Sequence, residues 1–367
     1  MIDLDLNNFT SDPDYFGNIE LLLTVKSFNL QEIRQRYLKS QKRSKSGSVK
    51  RREPAEGGLV YLKIKKGKIV RENVLLKYKE ARGIDFKNNR LAISSENEIY
   101  ILNIGTQEVK KIEHPWLSYI HTVKFSADLN KILVASSGVD SILEFDVATR
   151  QKIWEWNAWE AGINKGINPE TGEKHYLTRS AKKANDLKSQ DKKVILIQNP
   201  REDKLPTALR AAFINSAEYD SDGNILLTFF HDGDVKKLDK KSNTLTPILK
   251  GFNKPHGGIS TQSGYLVTDT AGGRVIEKND IKTNYWFKNL AGKDFRLKEM
   301  EWLQTSHKHR DAIITIDSNR TSLVVFDPDR KTKMLVPYNS NWAVQDFIDI
   351  EGNIETINKT LKSFYEK

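Results

Sequence analysis

Two histidines, His121 and His256, each begin a similar stretch of sequence, "HTVKFSADLNKILVASSGVDSILEFD" and "HGGISTQSGYLVTDTAGGRVIEKND". An imidazole in a binding site can act as a general base or as a nucleophile, or it can bind a metal ion. His231 follows an apolar run in a third such stretch. We therefore predict His121 and His256 as catalytic residues, and a divalent metal held by all three histidines is a further option.

These stretches are copies of a repeat in which strand-like segments alternate with short turns. The separations between successive starting residues are 39, 94, 41, 42 and 47 residues. A period of about 40 residues with four strands per unit is typical of β-propellers. We predict an all-β, six-bladed propeller whose repeats begin at Arg82, His121, Asn215, His256, Lys298 and Gln345.

The last repeat is incomplete, because the chain ends after two strand-like segments. Two strands at residues 59–78 precede the first repeat, and pairing them with the C-terminal strands would close the ring without an open sheet edge. We therefore expect a propeller over residues 58–367, interrupted by an insertion at about 160–208 that could cover the channel mouth. Residues 1–57 would form a strand, a helix begun by the capping box of Asn29 and Glu32, and a basic linker.

The first strand of each blade lines the propeller axis, so the starting residues of the repeats should meet at one mouth of the channel. Asp140 and Asp232 lie on turns that should face the same mouth. Such a ring of donors and cations suits a sulfate, phosphate or carboxylate group. Alternatively, these polar groups satisfy one another and bind water. The predicted substrate-binding residues are Arg82, Asn215, His231, Arg274, Lys298, Arg320 and Gln345.

Other residues of interest are predicted to lie away from this mouth. His307 and His309, in "SHKHRD", should lie on a solvent-exposed hairpin turn at the opposite face. Trp154 and Trp156 alternate along an outer strand and should pack between blades, with an aromatic platform for a ligand as the alternative.

Composition limits the other classes of function. The chain has 367 residues, a net charge of +11 and no cysteine, which excludes disulfides and thiolate chemistry. The absence of a long apolar run and of a secretory signal predicts a soluble, cytoplasmic protein. The basic segment from Lys39 to Arg52 is a flexible linker or a patch for an acidic protein or nucleic acid. We find no glycine-rich phosphate loop, nucleophile elbow or helical zinc motif.

Three stretches resemble the arylsulfotransferase-like propellers: "ILEFDVATRQKIWEWNAW", "INSAEYDSDGNILLTFFHDGDVKKLDKKSNTL" and "PHGGISTQSGYLVTDTAGGRVIE". The last is also similar to gluconolactonase and strictosidine-synthase-like propellers. The resemblance implies sulfuryl transfer through a histidine, with His121 and His256 in histidine roles and Arg82 or Arg274 holding the anion. Phe213 stands where that family has a histidine.

Taken together, the sequence predicts a propeller that acts on an anionic substrate, small or extended, which could be aromatic, at the channel mouth. A sulfuryl-transfer-like or metal-assisted reaction would fit. The alternative is a non-catalytic module that binds an acidic protein or nucleic acid.

Overall fold

The computed structural model describes residues 1–41, 47–51 and 53–365, and strands form most of their regular structure. The helices are α1 (Leu30–Gln41), α2 (Ala181–Lys188) and α3 (Ile354–Tyr365). In chain order the strands are β1 (Ile2–Asp5), β2 (Thr10–Ser11), β3 (Asn18–Ser27), β4 (Glu56–Lys65), β5 (Lys68–Lys79), β6 (Ile84–Lys87), β7 (Arg90–Ser94), β8 (Glu98–Asn103), β9 (Glu108–Glu113), β10 (Ile120–Phe125), β11 (Lys131–Ser136), β12 (Ser141–Asp146), β13 (Lys152–Asn157), β14 (Lys165–Ile167), β15 (Lys174–Thr178), β16 (Val194–Leu196), β17 (Ile214–Tyr219), β18 (Ile225–Phe229), β19 (Asp234–Leu238), β20 (Leu245–Leu249), β21 (His256–Thr261), β22 (Gly264–Asp269), β23 (Arg274–Lys278), β24 (Lys282–Trp286), β25 (Leu303–His309), β26 (Ala312–Asp317), β27 (Ser322–Asp327), β28 (Thr332–Pro337) and β29 (Ala343–Asp349).

These strands form a ring of antiparallel sheets. In the described ranges, six sheets contain four consecutive antiparallel strands: β6–β9, β10–β13, β17–β20, β21–β24, β25–β28, and β29 with β3–β5. Their first strands contact one another in turn, from β6 through β10, β17, β21 and β25 to β29, and β29 contacts β6 again. Apolar side chains fill the spaces between neighbouring sheets. The predicted propeller fold is confirmed.

The ring closes by pairing the two ends of the chain, as predicted. Strand β29 pairs antiparallel with β3, which pairs with β4, and β4 pairs with β5. Two details differ from the expectation: β3 lies inside this sheet, although it falls within the predicted segment 1–57, and the predicted second C-terminal strand is helix α3. The apolar residues Ile354, Ile357 and Leu361 are buried at helical spacing, which outweighs the strand-like start of "IETIN".

The N-terminal arm covers two sheet edges. Strand β1 pairs in parallel with β24, and β2 pairs in parallel with β28. Leu6 and Phe9, between these two strands, are buried with residues of both blades. The arm therefore shields two outer edges that would otherwise present unpaired backbone groups.

The insertion forms a small sheet, β14–β15–β16, followed by a chain segment that leads to β17. It packs against Trp156 and Trp159, while Trp154 is partly buried against the same cluster. The oxygen Oδ2 of Asp140 accepts hydrogen bonds from the indole of Trp159 and from the backbone N–H groups of Ala211 and Ala212. Asp140 thus holds together both ends of the insertion, and the tryptophans have packing roles.

Two truncations should separate edge covering from ring closure. Deleting residues 1–12 removes β1 and β2, and we expect a folded chain with a lower Tm, because buried Leu6 and Phe9 are lost. Deleting residues 1–27 also removes β3, so β29 and β4 lose their common partner and cooperative unfolding should disappear. Thermal unfolding followed by circular dichroism measures both. A 1–27 deletion that melts as sharply as the full chain would contradict this closure.

Candidate functional site

The residues at the channel mouth are aimed inward by β-bulges. In β10, β17 and β29 the pairing register shifts at one extra residue, namely His121, Asn215 and Gln345. In β21 and β25 a similar register shift follows the first residue pair of the strand, next to His256 and Gln304. A bulge re-aims a side chain and is common beside active sites. The same device therefore recurs around the ring at one level.

A second recurring feature precedes four of the inner strands. Glu80, Tyr119, Phe213 and Lys254 have φ values of 55°, 52°, 49° and 60°, each two residues before Arg82, His121, Asn215 or His256. Left-handed backbone at a residue other than glycine costs of order 1 kcal/mol and concentrates at functional sites. The recurrence indicates that the tertiary structure imposes this turn at the mouth of the channel.

These features surround a cavity of about 340 Å³, here called the mouth pocket. Its size falls within the range of small-ligand sites. Among the described residues that line it there is no carboxylate. Its cations are Lys26, Arg36, Lys39 and Arg82, its aromatic rings are Tyr37, Tyr119, Phe213, Phe230 and Trp302, and its other polar side chains include His121, His256, Thr270, Gln304 and Gln345.

His121 and His256 lie side by side in the lining of this pocket. Their ring centroids are 5.9 Å apart, and they are 4% and 7% exposed. Nδ1 of His256 lies 2.7 Å from Oγ1 of Thr270, which orients its ring. Burial, with nearby cations including Arg82, holds the pKa of His121 well below its usual range and lowers the pKa of His256 to about 3. Both imidazoles are therefore neutral near pH 7.

Arg82 connects the two ends of the chain at the mouth. Its guanidinium donates to Glu80 at 2.9 Å, to the hydroxyl of Tyr119 at 2.7 Å and to Oε1 of Gln345 at 3.2 Å. The same Oε1 accepts a hydrogen bond of 2.9 Å from Nζ of Lys26. A single neutral amide oxygen thus brings two cations together at the pocket wall.

Below the histidines the channel is closed. The cavity there measures only about 10 Å³, the lower limit for one water molecule. Lys124 pairs with Glu218 at 3.3 Å, and Nε2 of His307 lies 2.8 Å from Asp346. Burial alone would lower the pKa of Lys124, but the nearby carboxylate of Glu218 raises it overall. Burial raises the pKa of Glu218. A ligand in the mouth pocket must therefore enter and leave by the same side.

Helix α1 covers part of the mouth. The amide of Glu32 donates to Oδ1 of Asn29, which is the N-cap half of the predicted capping box, whereas the amide of Asn29 donates to Oγ of Ser27 instead of the Glu32 side chain. Arg34 donates to the carbonyl of Ser318 at 2.8 Å. The ring of Tyr37 stacks on Trp302 with centroids 4.8 Å apart. The cover thus comes from the connection between β3 and β4, while the 160–208 insertion contributes only Thr207 to the described lining.

Several predicted binding residues lie elsewhere. Arg274 pairs with Asp269 at 2.9 Å and does not line the mouth pocket. Arg320 is buried, pairs with Asp317 at 2.6 Å and donates to backbone carbonyls, so it is a packing residue.

Lys298 is 74% exposed, because a short 3₁₀ helix (Phe295–Leu297) delays the strand and puts Gln304 in the inward position. Asn215 lines the narrow cavity below the pocket, and Asp232 pairs with Lys236.

The proposed three-histidine metal site is not assembled. In the part of the chain that the structure describes, no group of three or more His, Cys, Asp or Glu residues could hold a metal ion. The ring of Phe213 packs between His121 and His231, with centroid distances of 5.8 and 5.5 Å. Nε2 of His231 lies 3.2 Å from the carbonyl oxygen of Thr207. His231 is therefore a neighbour of the pocket wall.

The prediction for His307 and His309 is also corrected. Both lie in β25 just before its hairpin turn, rather than on the turn itself. His309 is buried, with Nδ1 2.5 Å from Asp349, and His307 pairs with Asp346 in the channel. They are near the face opposite the mouth, as expected, but carboxylates of β29 hold them and they are not solvated.

Much of the basic segment from Lys39 to Arg52 falls outside the described residues, including Lys42, Arg43 and Arg52. Of the remainder, Lys39 lines the mouth pocket, and Arg51 pairs with Glu96. In the described residues, no helix is long and apolar enough to cross a membrane.

Sequence reasoning missed most of the aromatic wall. Tyr119 and Phe213 could have been found, because they stand two positions before repeat-initial residues. Guanidinium groups flank the Tyr119 ring, with Arg82 and Arg210 at 4.2 and 4.3 Å from its centroid. Lys26 and Tyr37 lie outside the repeats and have no such signal.

Comparisons with known proteins support the fold. No family model and no curated protein matches this sequence. The crystal structure of a nidogen/laminin complex is similar over 90% of this chain and 97% of that chain, with a TM-score of 0.52 and 10% identity. A protein of unknown function from Bacteroides caccae gives 0.49 and 13%, covering 90% and 99%. A streptogramin B lyase gives 0.43 and 12%, covering 71% and 83%.

At 10% identity, the similarity to the nidogen/laminin structure shows the fold alone. It supports the propeller part of the family resemblance, and none of these comparisons supports its arylsulfotransferase part.

The closed floor of the channel generates a prediction about stability. Replacing Lys124 with Met leaves the half-buried carboxylate of Glu218 without its partner, which should cost about 3 kcal/mol at pH 8. Because burial raises the pKa of Glu218, protonation at pH 5 should relieve part of this cost. Urea unfolding at both pH values measures it. The matched double variant, Lys124→Met with Glu218→Leu, should recover most of the stability, and a double variant as unstable as the single one would refute this account.

Proposed function

We propose that the mouth pocket binds a small anionic ligand with an aromatic or other planar apolar group, and that His121 and His256 act on it. The observation that carries the proposal is the composition of the pocket: four cations, five aromatic rings and, in the described lining, no carboxylate. Such a site attracts an anion and offers flat apolar surface to the rest of the ligand.

Hydrogen bonding supports a polar ligand at the inner end of the pocket. Lys26 and Arg82 converge on Oε1 of Gln345, where a ligand oxygen could join them as a further acceptor. Oε1 of Gln304 is buried and has no hydrogen-bond partner in the described part of the chain. An unpartnered buried amide is costly, so a ligand group that donates to Gln304 would be favoured.

The histidines provide the reactive groups of this proposal. A neutral imidazole can remove a proton from a ligand or attack it as a nucleophile. Transfer of an anionic group such as sulfuryl, the reaction that the family resemblance implies, would suit a nucleophilic His121 beside Arg82. The contact of Thr270 with Nδ1 of His256 makes His256 the better-oriented member of the pair.

The competing proposal is a non-catalytic module that binds an acidic protein or nucleic acid at the same face. The nidogen structure is a complex with laminin, so a propeller can serve in protein recognition. The concave pocket with its closed floor favours a small ligand over a broad interface.

A pair of probes tests the binding proposal. Benzenesulfonate should bind the full chain and neutral benzyl alcohol should bind much more weakly, as measured by isothermal titration calorimetry. Replacing Lys26 with Met removes a charged donor while Gln345 stays neutral, and should weaken benzenesulfonate binding about tenfold or more. The matched control Lys236→Met, outside the pocket, should bind like the parent protein. Equal affinity for both probes would argue against an anion site.

The catalytic part needs a separate test. His121→Gln and His256→Gln keep hydrogen bonding and remove the basic, nucleophilic imidazole. Turnover of a native substrate, once found by screening anionic aromatic compounds, should fall roughly a hundredfold or more in each variant. The Tm should change little. Full turnover by both variants would leave the binding module as the better account.

A further inference from the structure

The two mouth histidines lie against each other in the lining of the mouth pocket. Their rings are buried, lie 5.9 Å apart and are tilted by 37°, and both line the cavity that the proposed ligand would enter. An imidazole is the one side chain whose ordinary pKa lies close to neutral pH, so its protonation responds to a newly bound charge.

The charges that face this pair come from several elements. Lys26 at the end of β3, Arg82 before β6 and Arg210 before β17 are cations, and Asp346 on β29 is a carboxylate. Lys124, Glu218 and His307 line the channel floor below. Burial, together with these cations, lowers the pKa of both imidazoles while the pocket is empty. The carboxylate of Glu80 lies behind Arg82, at 2.9 Å from its guanidinium.

A bound anion reverses this balance. An opposite charge within about 4–6 Å of a titratable group typically shifts its pKa by roughly 1–3 units toward the charged form. An anion held by Lys26 and Arg82 would lie on the cavity side of both rings and offset those two cations. The imidazoles would then gain a partner for a positive charge that the empty pocket does not provide.

We propose that the mouth pocket takes up a proton together with its anion, and that the His121 and His256 pair holds this proton. The inference rests on the proposed function, since it concerns the occupied pocket. The direction of the pH dependence follows from linkage. Because the pKa of the histidine pair is higher with the anion bound than in the empty pocket, anion affinity rises as pH falls from the higher pKa to the lower one. The site would load in acid and release as pH rises.

Benzenesulfonate is a suitable probe, because its charge does not change between pH 5 and pH 8. Calorimetric titrations of the full chain at several pH values, in two buffers of different ionisation enthalpy, give both affinity and proton uptake. With the pKa of His256 at about 3 in the empty pocket and a rise on anion binding at the upper end of the range of roughly 1–3 units, affinity should rise by up to about tenfold from pH 7 to pH 5, with net proton uptake at the lower pH. Circular dichroism at each pH checks that the protein remains folded.

Histidine variants identify the proton acceptor. In His121→Gln and His256→Gln, affinity should change less than about threefold over the same pH range, because the remaining imidazole lacks its partner. The control His114→Gln removes an imidazole that packs against Phe145 outside the pocket, and should retain the full pH dependence. Binding that is independent of pH, without proton uptake, would overturn the inference and leave the proposed function intact. No binding at any pH would overturn both.

Discussion

The pairing of β29 with β3 is the contact on which the rest of the structure depends. The ring of sheets is complete only when the last blade has all its strands. In that blade the inner strand β29 comes from the C-terminal part of the chain, and its partners come from the N-terminal part. The pairing brings Gln345 to Lys26 and Arg82, which are 319 and 263 residues away in sequence. Ring closure therefore also forms the wall of the mouth pocket that carries Lys26 and Arg82.

The closing sheet also builds the cover of the pocket. Its second and third strands, β3 and β4, are joined by residues 28–55, which include α1 and the described segment 47–51. This connection reaches across the mouth to Trp302 and to the backbone of Ala208, which donates to the carbonyl of Ser48. A loop on the closing blade can span the mouth because it starts beside the axis. Stability of the ring and shape of the pocket are thus coupled.

The channel is divided into two electrostatic levels. At the mouth, Lys26 and Arg82 share a neutral amide, and aromatic faces rather than carboxylates surround the cavity. One level lower, Lys124 with Glu218 and His307 with Asp346 neutralise one another. Buried charges are tolerated when they are paired, and the floor is closed and satisfied by its pairs. At the mouth, Arg82 pairs with Glu80, which lies outside the pocket lining, and Lys26 donates to the neutral amide of Gln345.

The sequence by itself determined the repeated sheets, the closure by N-terminal strands, the helix α1 and the placement of His121 and His256 on one channel. All of these depend on periodicity and capping, which act over short distances along the chain. The tertiary structure alone decided which polar residues line the mouth pocket. Gln304 takes the inward position predicted for Lys298, because the preceding loop shifts the start of the strand. Arg274 and Arg320 are held by carboxylates of their own blades. Lys26 and Tyr37 reach the pocket only because β3, rather than the strands at 59–78, pairs with β29, and no local pattern encodes which of the N-terminal strands takes that place.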